Sequence, residues 1–441
     1  MADSTRITAP RSPLGRLAAA CTATAAVALI ALTADAEVDA APAQGPPNVL
    51  LIITDDQRDG KESMSVMPQA RRLFANGGTK FSNAYVTTPL CCPSRASIFS
   101  GQYVHNHGVT DNSSDLARPE LTWQRHLDEA GYETALYGKY LNSWMNRRPG
   151  DPIPYFDESW QGYDGEHGKL PLEAERFLLE RATGFLERTE RDDSRPWAMV
   201  LATRSPHAPY RYPDRFRRDV GRFRPRPSVR DDLGDKRAYG RRMARELGSR
   251  IRHVRMRRLR DVYTGQLREL MAVDEMVGRV FERPRGMSED ERTLAIMVSD
   301  NGFFWGEHSL SGKWFPYRES IEVPMYVRWP GRLAAGAVDD RLVANIDIAP
   351  TIMDAAGVPP RYEPDGSSLL DGTWARRGLL LEGAKQRWSS YLMPGRQYIR
   401  WANGSREYYD LRRDPFQEHN ALPRAQTWSA GIAPAALVAE R

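Results

Sequence analysis

The sequence predicts an α/β fold, and three observations carry that expectation. Pro47–Thr54 and Leu294–Val298 are continuous apolar runs that end in Asp55-Asp56 and in Ser299-Asp300-Asn301-Gly302. A parallel strand buried on both faces has this pattern, and polar groups at its C-terminal end lie where open α/β sheets place their ligands. Between such runs lie segments of helical periodicity, as in Tyr263–Val280, where Leu267, Leu270, Met271, Val273, Met276 and Val277 make one face. Beyond Pro360 the pattern changes to short strands, Tyr398–Trp401 and Glu407–Leu411, joined through Asn403-Gly404, a hairpin signal.

A chain of 441 residues with 41% hydrophobic content can bury one large domain and a smaller one. At its start, Arg6, Arg11 and Arg16 precede the apolar run Leu17–Leu32, and small residues follow at Ala34-Asp35-Ala36 and Ala41-Pro42-Ala43. This predicts a secretory signal peptide over 1–36, with cleavage as late as 43 as the alternative. The run is rich in Ala and Thr and no basic stop-transfer cluster follows, so no stable membrane span is expected after cleavage. Cys21 follows Ala18-Ala19-Ala20, but the apolar run continues past it, which argues against a lipoprotein site. The address is therefore secreted or extracytoplasmic. Only Cys91 and Cys92 remain after the signal, so no structural disulfide framework is expected.

Along the chain, Met67–Gly77 reads as a helix and Thr79–Val86 as a strand. In Thr87–Gly101, Pro93 suits the first turn of a helix that Ala96–Phe99 continue and Gly101 ends. That puts Cys91 just before a helix N-terminus with its thiol aimed outward, and Arg95 one turn along. Backbone N–H groups, the helix dipole and the guanidinium together suit an anion. His105 and His107 follow in a turn, either solvated or in contact with substrate. Leu121–Ala130 is a helix, Tyr132–Lys139 a strand running into a loop, Leu170–Glu190 a helix and Trp197–Thr203 a buried strand. After it, the prolines of Arg204–Pro209 are expected to hold an extended loop with His207 at the sheet edge. Residues 211–260 carry 19 Lys and Arg against 6 Asp and Glu. Such a stretch is either a solvated, partly mobile insertion or a cationic wall that attracts polyanions. Nucleic acid is not expected, since no recognised binding motif accompanies the charge and the chain is read as exported. His308 is either a pocket residue or an ordinary loop histidine.

Cys91-Cys92-Pro93-Ser94-Arg95, with Ala96-Ser97 and then Gly101-Gln102, resembles the signature of the type I, formylglycine-dependent sulfatases. The resemblance implies an alkaline-phosphatase-like central sheet flanked by helices, a catalytic domain over 47–360 and a small antiparallel C-terminal subdomain over 361–424; the tail over 425–441 is expected to be loose, as termini without packing partners are. By it, Cys91 is oxidised to formylglycine by a formylglycine-generating enzyme. The Asn48–Asp56 strand resembles the one whose two aspartates bind a divalent ion, and Ser299-Asp300-Asn301-Gly302 resembles the motif that completes that site. The implied metal ligands are Asp55, Asp56, Asp300, Asn301 and the oxygen of modified Cys91. An all-oxygen set favours Ca²⁺, with Mg²⁺ as runner-up, over Zn²⁺.

Gly138-Lys139-Tyr140-Leu141-Asn142 resembles the family's Gly-Lys loop, so Lys139 is expected to grip the sulfate, as is Lys313. Many relatives carry a histidine where this chain has Leu141, so that polar contact is either missing here or supplied from elsewhere, by Asn142, His105 or His107. Pro206-His207 resembles the family's sulfate-side histidine and is expected to protonate the leaving alcohol. In the implied reaction the aldehyde is hydrated, one hydroxyl attacks sulfur, and the other allows the covalent sulfate to be eliminated. The motifs stand closest to arylsulfatase-like members and those that remove 6-O-sulfate from N-acetylglucosamine units. Two alternatives stay open: a phosphodiester or phosphonate monoester hydrolase on the same fold, and a non-catalytic binder of sulfated glycans.

Overall fold

The structure is a computed structural model that describes residues 45–146, 151–161, 173–230, 236, 238–247, 256–282 and 290–422. The signal-peptide reading, the 425–441 tail and parts of the 211–260 stretch lie outside the described residues.

The apolar runs are the strands of one eight-stranded sheet. In chain order these are β1 (Asn48–Thr54), β2 (Thr79–Tyr85), β3 (Glu133–Gly138), β4 (Glu158–Trp160), β5 (Trp197–Ala202) and β6 (Thr293–Ser299). The short strands β7 (Phe304–Trp305) and β8 (Ser311–Gly312) form a separate pair, and β9 (Met325–Arg328) and β10 (Ala337–Ala344) complete the large sheet. The order is β10-β2-β9-β6-β1-β5-β3-β4, with β1 parallel to both neighbours and Leu50 paired with Met199 and Ala295. β9 runs antiparallel to β6 and β2. An antiparallel neighbour needs no crossover helix, which leaves residues 300–324 free to build loops at the sheet edge.

Strand alternation divides the core between the two faces. Val49, Leu51 and Ile53 pack with Phe99, Trp123 and Ile352, from the helices Cys91–Ser100, Trp123–Glu129 and Ile348–Ala356. Leu50 and Ile52 pack with Leu178, Phe185, Leu267 and Leu270, from the helices Ala174–Arg191 and Met256–Phe281. A mixed sheet with helices on both faces is the expected α/β architecture.

A second, antiparallel sheet has the order β11 (Leu379–Glu382), β12 (Trp388–Met393), β13 (Arg396–Trp401) and β14 (Arg406–Asp410). Its β13–β14 hairpin turns at Asn403-Gly404, where Gly404 adopts a φ of 82°. Trp388, Trp401 and Tyr409 bury one face against Phe304, Phe315 and Tyr317.

Three local expectations are corrected. The helix expected over Met67–Gly77 is present, but only Pro68–Ala70 is α-helical and Arg71–Ala75 continues it as a π-helical segment. The loop after β5 is not extended: His207 N–H donates to Arg204 O at 2.8 Å, and the Ser205-Pro206 and Ala208-Pro209 bonds are cis. The described part of the basic stretch is packed, because Phe216, Val220, Phe223 and Val229 are buried and Phe223 meets the rings of Tyr263 and Trp305. Among the described residues no helix is long and apolar enough to cross a membrane.

Candidate active site

Adjacent strands β6, β1, β5 and β3 point their C-terminal ends the same way. The residues that follow them, Asp300, Asp55, His207 and Lys139, therefore belong to one edge of the sheet. The helix Cys91–Ser100 brings Cys91 and Arg95 to the same edge, and the segment after β8 brings Lys313.

Cys91 is the first residue of that helix, with Leu90 as its N-cap, one position further in than expected. Its thiol is buried and donates to Asp55 Oδ1 at 3.4 Å, while Lys313 Nζ donates to Cys91 Sγ at 2.9 Å. Lys139 Nζ donates to Asp55 Oδ2 at 2.5 Å, and Lys313 Nζ also contacts Asp56 Oδ1. Arg95 Nε donates to Asp300 Oδ2 at 2.7 Å and its Nη1 to the Lys139 carbonyl; its Nη2 stands 3.9 Å from Asp55 and is buried without a hydrogen bond. Three cations thus face three carboxylates in a fully buried cluster. His207 is half-buried, with Nε2 3.8 Å from Asp56 Oδ2 and its Nδ1 2.6 Å from the Ala208 carbonyl.

The backbone is held as tightly as the side chains. Ser299 Oγ accepts from Gln57 N–H at 2.9 Å and donates to the Asn301 carbonyl at 2.9 Å, tying the ends of β1 and β6 together. Asp56 adopts a φ of 71°, a conformation unfavourable for a side-chain-bearing residue that persists where surroundings over-determine it. Here its N–H donates to Asp300 Oδ1 at 3.2 Å and its Oδ1 accepts from Asn301 Nδ2 at 2.6 Å.

Electrostatics follow from this packing. Burial raises the Asp55 carboxyl, but Lys139, His207, Lys313 and Arg95 outweigh it and hold the group well below its ordinary value. Burial and the charge of Asp55 raise Asp300 despite Arg95. Burial and Asp55 push the Cys91 thiol up to about 12, so it is protonated at neutral pH.

Ligand atoms of Asp55, Asp56, Cys91 and Asp300 all lie within 4.8 Å of one another. Beside them, Asn301 Oδ1 is buried with no hydrogen-bond partner, an unused oxygen donor in a region where such atoms are ordinarily satisfied. Three carboxylates and an open amide oxygen fit a hard divalent cation.

The remaining predicted contacts lie elsewhere. His107 is buried, its Nδ1 accepting from Val109 N–H at 3.0 Å and its Nε2 3.1 Å from Ser97 Oγ, and burial beside His105 pushes it down to about 3. It is a neutral residue packed against the helix that carries Cys91. His105 is exposed and bonds Glu382 of β11 at 3.0 Å. Asn142 caps the other cysteine, its N–H donating to Cys92 Sγ at 2.8 Å. His308 is buried with a φ of 55°, its Nε2 3.7 Å from Glu319 and its ring against Tyr317. One supporting group escaped the sequence reading: Gln266, whose Nε2 donates to the Asp56 carbonyl at 3.4 Å and whose Oε1 accepts from Trp305 Nε1 at 2.5 Å. It lies on the apolar face of its helix, four residues before Leu270 and seven before Val273, where periodicity expects core and a lone glutamine gives no signal of a site.

Known proteins resemble this chain in sequence and in fold. The chain is 30% identical over 423 residues to a putative extracellular sulfatase Sulf-1 homolog of Caenorhabditis elegans, covering 86% of this chain and 56% of the relative. It is 29% identical over 355 residues to the N-acetylglucosamine-6-sulfatase of Homo sapiens, covering 74% and 64%. Against the N-acetylglucosamine-6-O-sulfatase of Bacteroides thetaiotaomicron it is 27% identical over 401 residues, covering 73% and 70%. The chain thus spans roughly half to two thirds of the length of these relatives. The fold matches a protein solved in complex with its substrate D-glucosamine-2-N,6-O-disulfate, with a TM-score of 0.73 at 24% identity over 86% of this chain and 94% of that one. It also matches the phosphonate monoester hydrolase of Agrobacterium radiobacter, with a TM-score of 0.70 at 21% identity over 85% and 91%. Residues 47–358 match the sulfatase family model, and the chain belongs to the sulfatase family.

Proposed function

We propose that the chain is an exported hydrolase of sulfate esters, acting on sulfated carbohydrate with 6-O-sulfated N-acetylglucosamine units as the preferred class. The observation that carries this reading is the meeting of Cys91 with Asp55, Asp56 and Asp300 and with the cations Arg95, Lys139 and Lys313 in one buried cluster. Position 91 is the one side chain there suited to become a nucleophile; the others are charges that would surround it.

In this reading Cys91 is converted to formylglycine during maturation by a formylglycine-generating enzyme, and its hydrate supplies the attacking oxygen. Asp55, Asp56, Asp300 and Asn301 would hold a divalent cation, Ca²⁺ or else Mg²⁺, whose chemistry when bound is to lower the pKa of that oxygen and draw charge from the sulfate. Arg95, Lys139 and Lys313 neutralise charge that develops on the sulfuryl oxygens, and fixed cations in a dry site do this without reorganising. His207, the partly exposed member of the set, hands a proton to the departing alcohol oxygen. Across the cycle one water is consumed and the ester yields an alcohol and sulfate. The names of the N-acetylglucosamine-6-sulfatase relatives support the substrate class, and the basic 211–260 stretch suits a sulfated chain.

Turnover of an aryl sulfate beside aryl phosphate monoesters and diesters tests the reaction class. Faster hydrolysis of the sulfate is expected. A preference for a phosphate diester would move the chain to the phosphonate and phosphodiester hydrolases of the same fold, and turnover of none would leave a glycan binder.

A further inference from the structure

Two carboxyl groups outside the cluster are buried behind His207. Glu175, at the start of the helix Ala174–Arg191, is 4% exposed, and Glu269, on the helix Met256–Phe281, is 3% exposed. Among the described residues neither has an ion-pair partner. Instead the Ser205 hydroxyl donates to Glu175 Oε1, and Ser205 lines the same cavity as Glu269. Arg211 N–H donates to Glu269 Oε1 at 2.5 Å, while Glu269 Oε2 is buried with no hydrogen bond. Glu175, Arg204, Ser205, His207, Arg211 and Glu269 line one small cavity. Ser205 is itself tied to the cluster, because its carbonyl accepts from Asp55 N–H at 3.1 Å and from Thr203 Oγ1 at 2.9 Å.

Two unpaired carboxylates cannot both stay charged in such a place, since burial and mutual repulsion each favour the neutral form. We propose that Glu175 and Glu269 are positioning residues which hold one proton between them beside Ser205, and so fix the Thr203–Pro209 loop that places His207 beside Asp55 and Asp56. Burial first and then Glu175 raise Glu269 well above its ordinary value, and burial raises Glu175, in keeping with a retained proton. The other charged or titratable groups near the pair are Arg204, His207, Tyr210 and Arg211, and Glu175 also lines a second cavity with Glu173, Arg176, Glu180, Arg215, Glu275 and Arg279. Arg204 acts on Glu269 through space, but its Nη2 donates to the Ala208 carbonyl at 3.0 Å. When that proton leaves, two like charges stand in one buried cavity beside Ser205, the loop shifts and His207 loses its place.

This inference rests on the hydrolase reading for its kinetic test and has a readout apart from it. The pH profile of kcat is measured for wild type, Ser205→Ala, Glu269→Ala and Glu269→Gln, with the infrared C=O band of protonated carboxyl recorded for wild type and Glu269→Gln. Ser205→Ala and Glu269→Ala are expected to lower kcat by about tenfold with KM little changed, as a misplaced proton donor does. Glu269→Gln, which imitates the protonated acid, should restore kcat at neutral pH and remove an alkaline limb present in wild type. The infrared band should be present in wild type at neutral pH and diminished in Glu269→Gln, a result that stands even where an alanine variant fails to fold. An unchanged band, or the same alkaline limb in Glu269→Gln and wild type, would overturn the proposal. If the band behaves as expected but wild type hydrolyses no sulfate ester, the carboxyl pair stands and the hydrolase reading falls.

Discussion

Cys91 Sγ lies 3.4 Å from Asp55 Oδ1, which places the first residue of one helix against the first carboxylate after the central strand. The contact uses no part of the hydrophobic core, so chemistry at position 91 is separable from folding. Cys91→Ala should lower turnover at least about a thousandfold, as loss of a nucleophile does. Its unfolding free energy should stay within about 1 kcal/mol of wild type, since the side chain removed is small. Denaturant titration beside a steady-state assay checks both, and near wild-type turnover would remove Cys91 from the mechanism.

Asn301 is the clean probe of the metal, because removing it takes an oxygen donor and leaves the charge balance intact. Asp300 is less suitable: its loss would also strand the buried Arg95 guanidinium. At a Ca²⁺ concentration 100 times Kd, the wild type should gain about 2.7 kcal/mol of stability over the chelated protein. Asn301→Ala should lose most of that gain together with activity. Equal Ca²⁺-dependent shifts in Tm for the two proteins would contradict the ligand set.

His107 should make the fold sensitive to acid. Its folded-state value of about 3 lies below the ordinary 6.5, so the unfolded chain binds a proton that the folded chain refuses. Stability from this residue is full above the unfolded value and is lost as pH falls below it, by about 2 kcal/mol between pH 7 and pH 5. His107→Gln should show a smaller loss over that interval. Urea midpoints at the two pH values measure the difference, and identical pH dependence in the two proteins would refute the assignment.

The basic stretch presents Arg222 and Arg224 to solvent on either side of buried Phe223. If these charges steer a sulfated chain, kcat/KM on a sulfated oligosaccharide should fall as salt shortens the Debye length below about 10 Å. A small aryl sulfate should respond less. Arg222→Glu combined with Arg224→Glu should narrow the gap between the two substrates. Equal salt sensitivity on both would leave the stretch without a role in substrate capture.

Much of this was legible because it is local. The runs ending in Asp55-Asp56 and in Asp300-Asn301 announce strands together with the acidic residues gathered at their ends, and Asn403-Gly404 announces its hairpin. What escaped depends on partners distant in sequence. Arg58 bonds Glu307 at 2.7 Å across 249 positions, and the Glu175 and Glu269 carboxyls meet only because two helices pack on one face of the sheet. The direction of β9 was hidden for the same reason, since an apolar run looks alike whichever way it enters a sheet. His107 looked like a loop residue because periodicity does not describe a helix of four residues, Val104–His107, buried on one side.

The most direct measurement is the mass of the peptide containing residue 91, taken from the protein as its own cells produce it and compared with its rate on an aryl sulfate. The account predicts an aldehyde at position 91, with turnover proportional to the converted fraction. A fully retained thiol at Cys91 in protein that hydrolyses the sulfate ester would contradict it.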